Sequence, residues 1–218
     1  MRYGIEYYQT LVFDCDGVIL NSNKVKTQAF YQAALPYGEI AARALVDYHV
    51  ENGGVSRYKK FNYFVENIAP GTPSALAIDN LLASYARYVQ EGLLNCQIAS
   101  DLHKLREKTP SARWMIVSGG DQSELRSIFA ERKLAELFDG GIFGSPDTKD
   151  EILAREHSNG NIVSSALFLG DSKYDYQAAT GAGLDFVFLS AWSEVKDWED
   201  WCQRQEIQQA SNIAALAE

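Results

Sequence analysis

Four short stretches of this 218-residue chain carry side chains whose types and spacing can do chemistry together. Asp14 and Asp16 flank Cys15 in FDCDGV. At a strand end, residues two apart project to one side while the residue between them turns away. One such carboxylate can attack as a nucleophile, and the other can give a proton and later activate water. Ser118-Gly119-Gly120 offers a hydroxyl donor beside a glycine whose N–H can approach an anion with no Cβ in the way. The competing reading of Ser118 as a helix cap is weaker, because in SGGDQSEL Asp121 is the better cap and Glu124 would complete a capping box. Lys149 opens a helical stretch, where a cation opposes the helix dipole, so an anionic partner explains it more economically than a local role.

Nucleophile, proton carrier, anion clamp and cation are the parts that phosphoryl transfer needs. Two carboxylates beside a phosphate would repel it without an intervening cation, and Mg2+ favours one or two carboxylates together with phosphate oxygens and waters. Asp171 is the natural second carboxylate ligand beside Asp14. Asp175 reads as the group that orients the metal's waters or Lys149, or else as a first-turn aspartate complementing a helix dipole.

The elements that must position these residues can be read from texture. Thr10 to Asp14 is a short apolar run broken by Asp16-Gly17, which predicts a buried strand ending in a turn. From Lys24 to Gln90 the texture is helical throughout, interrupted only at Pro36-Tyr37-Gly38, Asn52-Gly53-Gly54 and Pro70-Gly71-Thr72-Pro73. After Asn95, helices and strands alternate, with strands at RWMIVS, GGIFG, ALFLGD and LDFVFLS. That alternation predicts an α/β fold, a Rossmann-like open parallel sheet with helices on both faces. An all-helical insert far longer than an ordinary loop divides the chain into a core of residues 1–21 and 98–218 and a cap of residues 22–97. Residues from Trp192 to Glu218 are expected to form one or two closing helices, with Trp192, Trp198 and Trp201 packed on the sheet and a dimer contact as the lesser alternative. In such sheets ligands bind at the carboxyl ends of the strands, where all four stretches fall.

With FDCDGV, IVSGG, the lysine of SPDTKDEIL and GDSKYDYQAA in this order on strand ends, the chain resembles the haloacid dehalogenase superfamily of phosphotransferases, in its branch with a helical cap after the first motif. The resemblance implies that Asp14 is the nucleophile, Asp16 the acid/base, Ser118 and Lys149 catalytic partners, and Gly119 a substrate contact. It also implies Mg2+ held by Asp14, Asp171, Asp175 and the backbone carbonyl of Asp16. A dehalogenase is disfavoured, since a departing halide leaves Asp16 nothing to protonate.

The cap carries seven Lys+Arg and six Asp+Glu, a net of +1, which leaves −10 on the core. It can therefore offer cations to an anionic substrate. GGVSRYKKF resembles the specificity loop of β-phosphoglucomutase-like members, which implies that Arg57 faces the active site, where its planar fork suits a distal phosphate or carboxylate. An exposed residue at a helix start is the equal alternative for Arg57, as for Lys59 and Lys60. Tyr58, Phe61, Phe64, Val65 and Ile68 share a helical face expected to be cap core. Lys24 and Lys26 are expected to border the cleft, Lys26 as a substrate contact. The mutase pattern has a histidine near Lys26 that this chain lacks, which favours hydrolysis of a small phosphosugar-like phosphomonoester over a phosphosugar mutase. A non-catalytic phospho-aspartate binding module is a third reading, disfavoured by the cap and by Asp16.

Composition sets outer limits. A net charge of −9 without a long basic stripe argues against nucleic acid as a partner. No run of about 18 apolar residues predicts a membrane span, and the first ten residues do not read as a signal peptide. Cys15, Cys96 and Cys202 are odd in number and scattered, which fits a reducing compartment. A cytoplasmic monomer or homodimer with a small phosphorylated substrate is expected. His49, His103 and His157 lack zinc-ligand spacing and read as surface or capping residues.

Overall fold

The computed structural model describes residues 4–70, 74–163 and 165–218. Strand β1, Thr10–Phe13, is buried along its whole length. Directly after it come four helices in succession: α1 (Asn23–Ala34), α2 (Glu39–Glu51), α3 (Arg57–Tyr63) and α4 (Ser74–Asn95). The two connections between this insert and the core run side by side. Asn21 N donates to Gln97 O at 2.9 Å and Ala99 N to Ile19 O at 2.8 Å.

Inside the insert, Phe30 packs on Phe61 and Tyr85 with ring centroids 5.1 and 4.6 Å apart. Phe61, Phe64 and Val65 are buried as their spacing predicts, although α3 gives way to a wider π-helical turn over Phe64–Ile68. Tyr58 departs from that face. It is half-buried and its hydroxyl donates to Asp121 Oδ2 in the core at 2.8 Å, the expected behaviour of an amphipathic ring with a polar tip.

The alternating region follows: α5 (Leu102–Lys108), β2 (Arg113–Asp121), α6 (Gln122–Glu131), β3 (Gly141–Ser145), α7 (Lys149–Ser158), β4 (Ala166–Gly170), α8 (Lys173–Gly181) and β5 (Asp185–Leu189). The strands lie in the order β3-β2-β1-β4-β5, and a sixth, β6 (Gln208–Ala210), adds to the β5 edge. Every neighbouring pair is parallel. Leu11 and Phe13 join Trp114, Ile116 and Leu169 in one apolar cluster, while Val12 joins Met115, Val117 and Phe168 in another. Alternate residues thus feed opposite faces, as a sheet covered on both sides requires.

The tail corrects the sequence reading. It holds two helices, α9 (Trp198–Arg204) and α10 (Ile213–Ala217), but β6 lies between them. Three largely exposed residues, Gln-Gln-Ala, carry no apolar alternation, and they form a strand because the β5 edge offers unpaired backbone groups. Trp198 and Trp201 pack on Phe188, at 5.7 and 5.5 Å.

Candidate active site

Strand order reverses at β1, which lies between β2 and β4. The crevice beyond the carboxyl ends of these strands is the expected ligand site of an open parallel sheet. Asp14 follows β1 and Asp171 follows β4, and with Asp175 they bring three buried carboxylates within 4.8 Å of one another.

Each carboxylate is held differently. Asp14 accepts the N–H of Cys15 at 2.7 Å and lies 2.9 Å from Lys149 Nζ. Asp171 accepts from Asn23 Nδ2 at 2.6 Å. Asp175 is ion-paired with Lys149 and accepts from Ser172 N and Ser172 Oγ at 3.0 and 2.7 Å. It is therefore both the first-turn cap of α8 and the residue that fixes Lys149, so the two sequence readings of Asp175 coexist. Lys149 follows a capping box made by Thr148 and Glu151, and its buried ammonium is balanced by carboxylates on two other elements.

Burial, with the charges of Asp175 and Asp16 added, pushes the Asp14 carboxyl up to about 7 despite Lys149. Burial and the charges of Asp175 and Asp14 also raise Asp171. Burial alone would lower Lys149, but Asp14 and Asp175 outweigh it and hold the ammonium above the usual lysine range. Three clustered carboxylates, two of them ion-paired with Lys149, form an all-oxygen, electron-rich donor set that fits a hard divalent cation.

Asp16 lies outside this cluster. Ser22 Oγ donates to its Oδ1 at 2.5 Å and Lys26 Nζ to its Oδ2 at 2.5 Å. Burial pushes the Asp16 carboxyl up, but the Lys26 charge and the hydrogen bonds from Lys26 and Ser22 prevail and hold it below the usual range. Only its main chain is left for a metal. Ser118 is fully buried, its Oγ accepting from Gly120 N at 3.1 Å, and Gly119 and Gly120 form the wall of the cavity at this point. Glu124 does not complete the expected capping box: Asp121 accepts from Glu124 N at 2.9 Å, but the Glu124 side chain turns to Arg57.

The insert covers this crevice, and between them lies a cavity of about 60 Å³ lined by Asp14, Asp16 and Asp171 after the strands and by Lys26, Arg57 and Lys60 of the insert, among others. Gly54 lies close against Gly119, since a Cβ on Gly119 would overlap the Gly54 carbonyl oxygen. Arg57 lines the cavity as expected, yet its guanidinium is clamped by both oxygens of Glu124 on α6 and lies 4.5 Å from the Tyr85 ring centre. Two expectations are corrected. His49 is buried, stacked 4.4 Å from Phe30, with Nδ1 2.7 Å from Lys60 Nζ, because a ring on the inner face of α2 meets another cap helix. Lys24 is exposed and outside the cavity lining, since two positions before Lys26 on a helix is a different face. Lys59 is exposed and Lys60 is not. Asn23, Ser22, His49 and Glu194 were not foreseen at the site. Ser22 and Asn23 could have been suspected from their place at the first turn after FDCDGVIL.

The family model of haloacid dehalogenase-like hydrolases matches residues 8–183. No curated protein matches in sequence. Among solved structures, a predicted phosphatase from Clostridium acetobutylicum is similar at TM-score 0.73 and 16% identity, over 96% of each chain. CbbY from Rhodobacter sphaeroides, solved with phosphate, is similar at TM-score 0.69 and 14% identity, over 97% of this chain and 96% of that one. A predicted phosphoglycolate phosphatase from Haemophilus somnus 129PT is similar at TM-score 0.65 and 17% identity, over 84% and 85%. At such identities the likeness is one of fold. Among the described residues, no helix is long and apolar enough to cross a membrane.

Proposed function

The chain belongs to the haloacid dehalogenase-like hydrolase family, and from that premise we propose that it is a Mg2+-dependent phosphatase of small phosphorylated metabolites, working through an aspartyl-phosphate on Asp14. The observation that carries this reading is the meeting of Asp14, Lys149, Asp171 and Asp175 at one end of the sheet, beneath a cap that presents cations to the same cavity. Asp14, Asp171 and the Asp16 carbonyl would hold Mg2+, which when bound offsets the negative charge of phosphate and carboxylates.

This chain's own residues do the rest. Asp14 Oδ attacks phosphorus, and Lys149, fixed by Asp175, balances the charge of the nucleophile and of the transferring group. Gly119 and Gly120 let backbone N–H groups approach the phosphoryl oxygens. Asp16 and the Lys26 ammonium share the proton that reaches the leaving oxygen, and Asp16 then takes a proton from the water that cleaves the aspartyl-phosphate. The closed cap keeps bulk water away while the first step proceeds.

The test is a phosphate-release screen over phosphorylated metabolites, with and without Mg2+, beside Asp14→Asn. Release that requires Mg2+ and is lost in the variant is expected. Equal release by the variant sinks the mechanism, and isomerisation of a hexose 1-phosphate without free phosphate makes the chain a mutase.

A further inference from the structure

Three cations line the cavity, and two of them are matched. Lys26 is ion-paired with Asp16 and Arg57 with Glu124. Lys60, equally buried, faces no carboxylate within 4.0 Å among the described residues. Its partners are His49 Nδ1 at 2.7 Å, the His49 carbonyl at 3.4 Å and the face of Phe30, 5.4 Å to the ring centre. All three are neutral. An ammonium taken out of water is costly unless an opposite charge is supplied. Asp16 and Glu194 act on Lys60 from beyond ion-pair range, and the cavity that Lys60 shares with Asp14 can admit an anion beside it.

Resting on the phosphatase reading, we propose that Lys60 is the specificity-determining counter-ion for a carboxylate on the organic part of the substrate, so that the substrate class is a small phosphomonoester ending in a carboxylate. The donor count favours a carboxylate over a second phosphate. An ammonium has three N–H donors, and two are directed at His49, which leaves one for a ligand oxygen. A phosphate dianion wants several donors, whereas a carboxylate is served by one strong charge-assisted bond and a neutral neighbour. The state of the amine agrees. Burial and the charge of Lys26 pull the Lys60 ammonium down to about 7, and an arriving anion would secure its proton.

The test uses two esters that differ in one group, phosphoglycolate and ethylene glycol monophosphate. With the unaltered protein and Mg2+, kcat/KM is expected to be at least tenfold higher for the carboxylate ester, mostly through KM. In Lys60→Met that ratio is expected to fall to within twofold. Equal kcat/KM for the two esters with the unaltered protein overturns the assignment whether or not the variant folds, and so does an undiminished ratio in a folded variant. Calorimetric binding to Asp14→Asn separates this proposal from the reading beneath it. A tenfold binding preference for phosphoglycolate without turnover by the unaltered protein upholds Lys60 and defeats the phosphatase. Turnover of both esters without preference does the reverse, and if phosphoglycolate is neither bound nor turned over the Lys60 assignment falls.

Discussion

Lys26 Nζ lies 2.5 Å from Asp16 Oδ2, so the proposed acid/base of this site stands in the closed structure as one half of a buried ion pair. Burial would lower the Lys26 ammonium, but Asp16 raises it well above the usual lysine range, while Lys26 in turn depresses Asp16. This balance favours a carboxylate at Asp16 beside an ammonium at Lys26, the form in which the proposed base would act.

Lys26→Met is expected to move the acid limb of the pH–rate profile upward by about one pH unit or more, because an Asp16 freed of its cation is left with burial alone, which favours the protonated form. The sign is definite: a carboxyl depressed by a partner rises when the partner goes. The variant should lose about tenfold more activity at pH 5 than at pH 8. An acid limb that stays in place would mean that Asp16 is not the base or that Lys26 does not tune it.

Gly119→Ala should separate cap closure from folding. An added Cβ would overlap the Gly54 carbonyl oxygen, a backbone atom that cannot rotate away, but only with the cap seated. Opening the cap relieves the clash. A fall in kcat/KM of about a hundredfold is expected, with the denaturation midpoint shifted by less than about 1 kcal/mol, a magnitude in line with misplacement at a catalytic centre. A variant that loses stability in proportion to activity would show that the overlap strains the fold itself.

What could be read in advance followed from local pattern. Asp14 and Asp171 each close a short apolar run and Asp16 stands two residues beyond Asp14, so their place at the carboxyl end of a strand follows from local sequence, and Lys149 announced itself by opposing a helix dipole. The partners of Lys60 and Arg57 had no such signature. Lys60 is buried beside exposed Lys59 because of how α3 meets α2, and Arg57 meets Glu124 because the cap closes on α6. Both are tertiary contacts between segments that carry no mark of each other. Strand β6 was missed for a related reason, since its pairing belongs to the β5 edge and not to its own side chains.

Metal binding should register in stability before any turnover is measured. Asp14 and Asp171 are both raised, first by burial and then by neighbouring carboxylates, so the metal-free site is destabilising when ionised. Asp171→Asn is expected to unfold at higher denaturant than the unaltered protein in EDTA, because it removes one of the repelling charges. Mg2+ at about a hundred times its Kd should stabilise the unaltered protein by about 2.7 kcal/mol and the variant far less. Equal Mg2+ stabilisation of both would remove Asp171 from the metal site.

Lys60→Met should stabilise the protein, with a pH dependence that identifies the cause. The amine is surrounded by His49 on α2, Lys26 on α1, Lys149 on α7, and the acidic Asp16 and Glu194, and burial and Lys26 lead in pulling it from 10.5 to about 7. Between those two values the unfolded chain binds more protons than the folded one, so the contribution of Lys60 to stability improves as pH rises through this window, and its cost is complete below about 7. Removing the amine should therefore raise the denaturation midpoint most at pH 7 and progressively less toward pH 9.5, with a gain on the order of a kcal/mol or more at the lower pH. A gain independent of pH would point to packing by the methionine, and a loss at pH 7 would mean that the ammonium is already compensated in the free protein. The expected pattern, a residue that weakens the fold and lines the cavity opposite Asp14, is the one that a binding role for its charge produces.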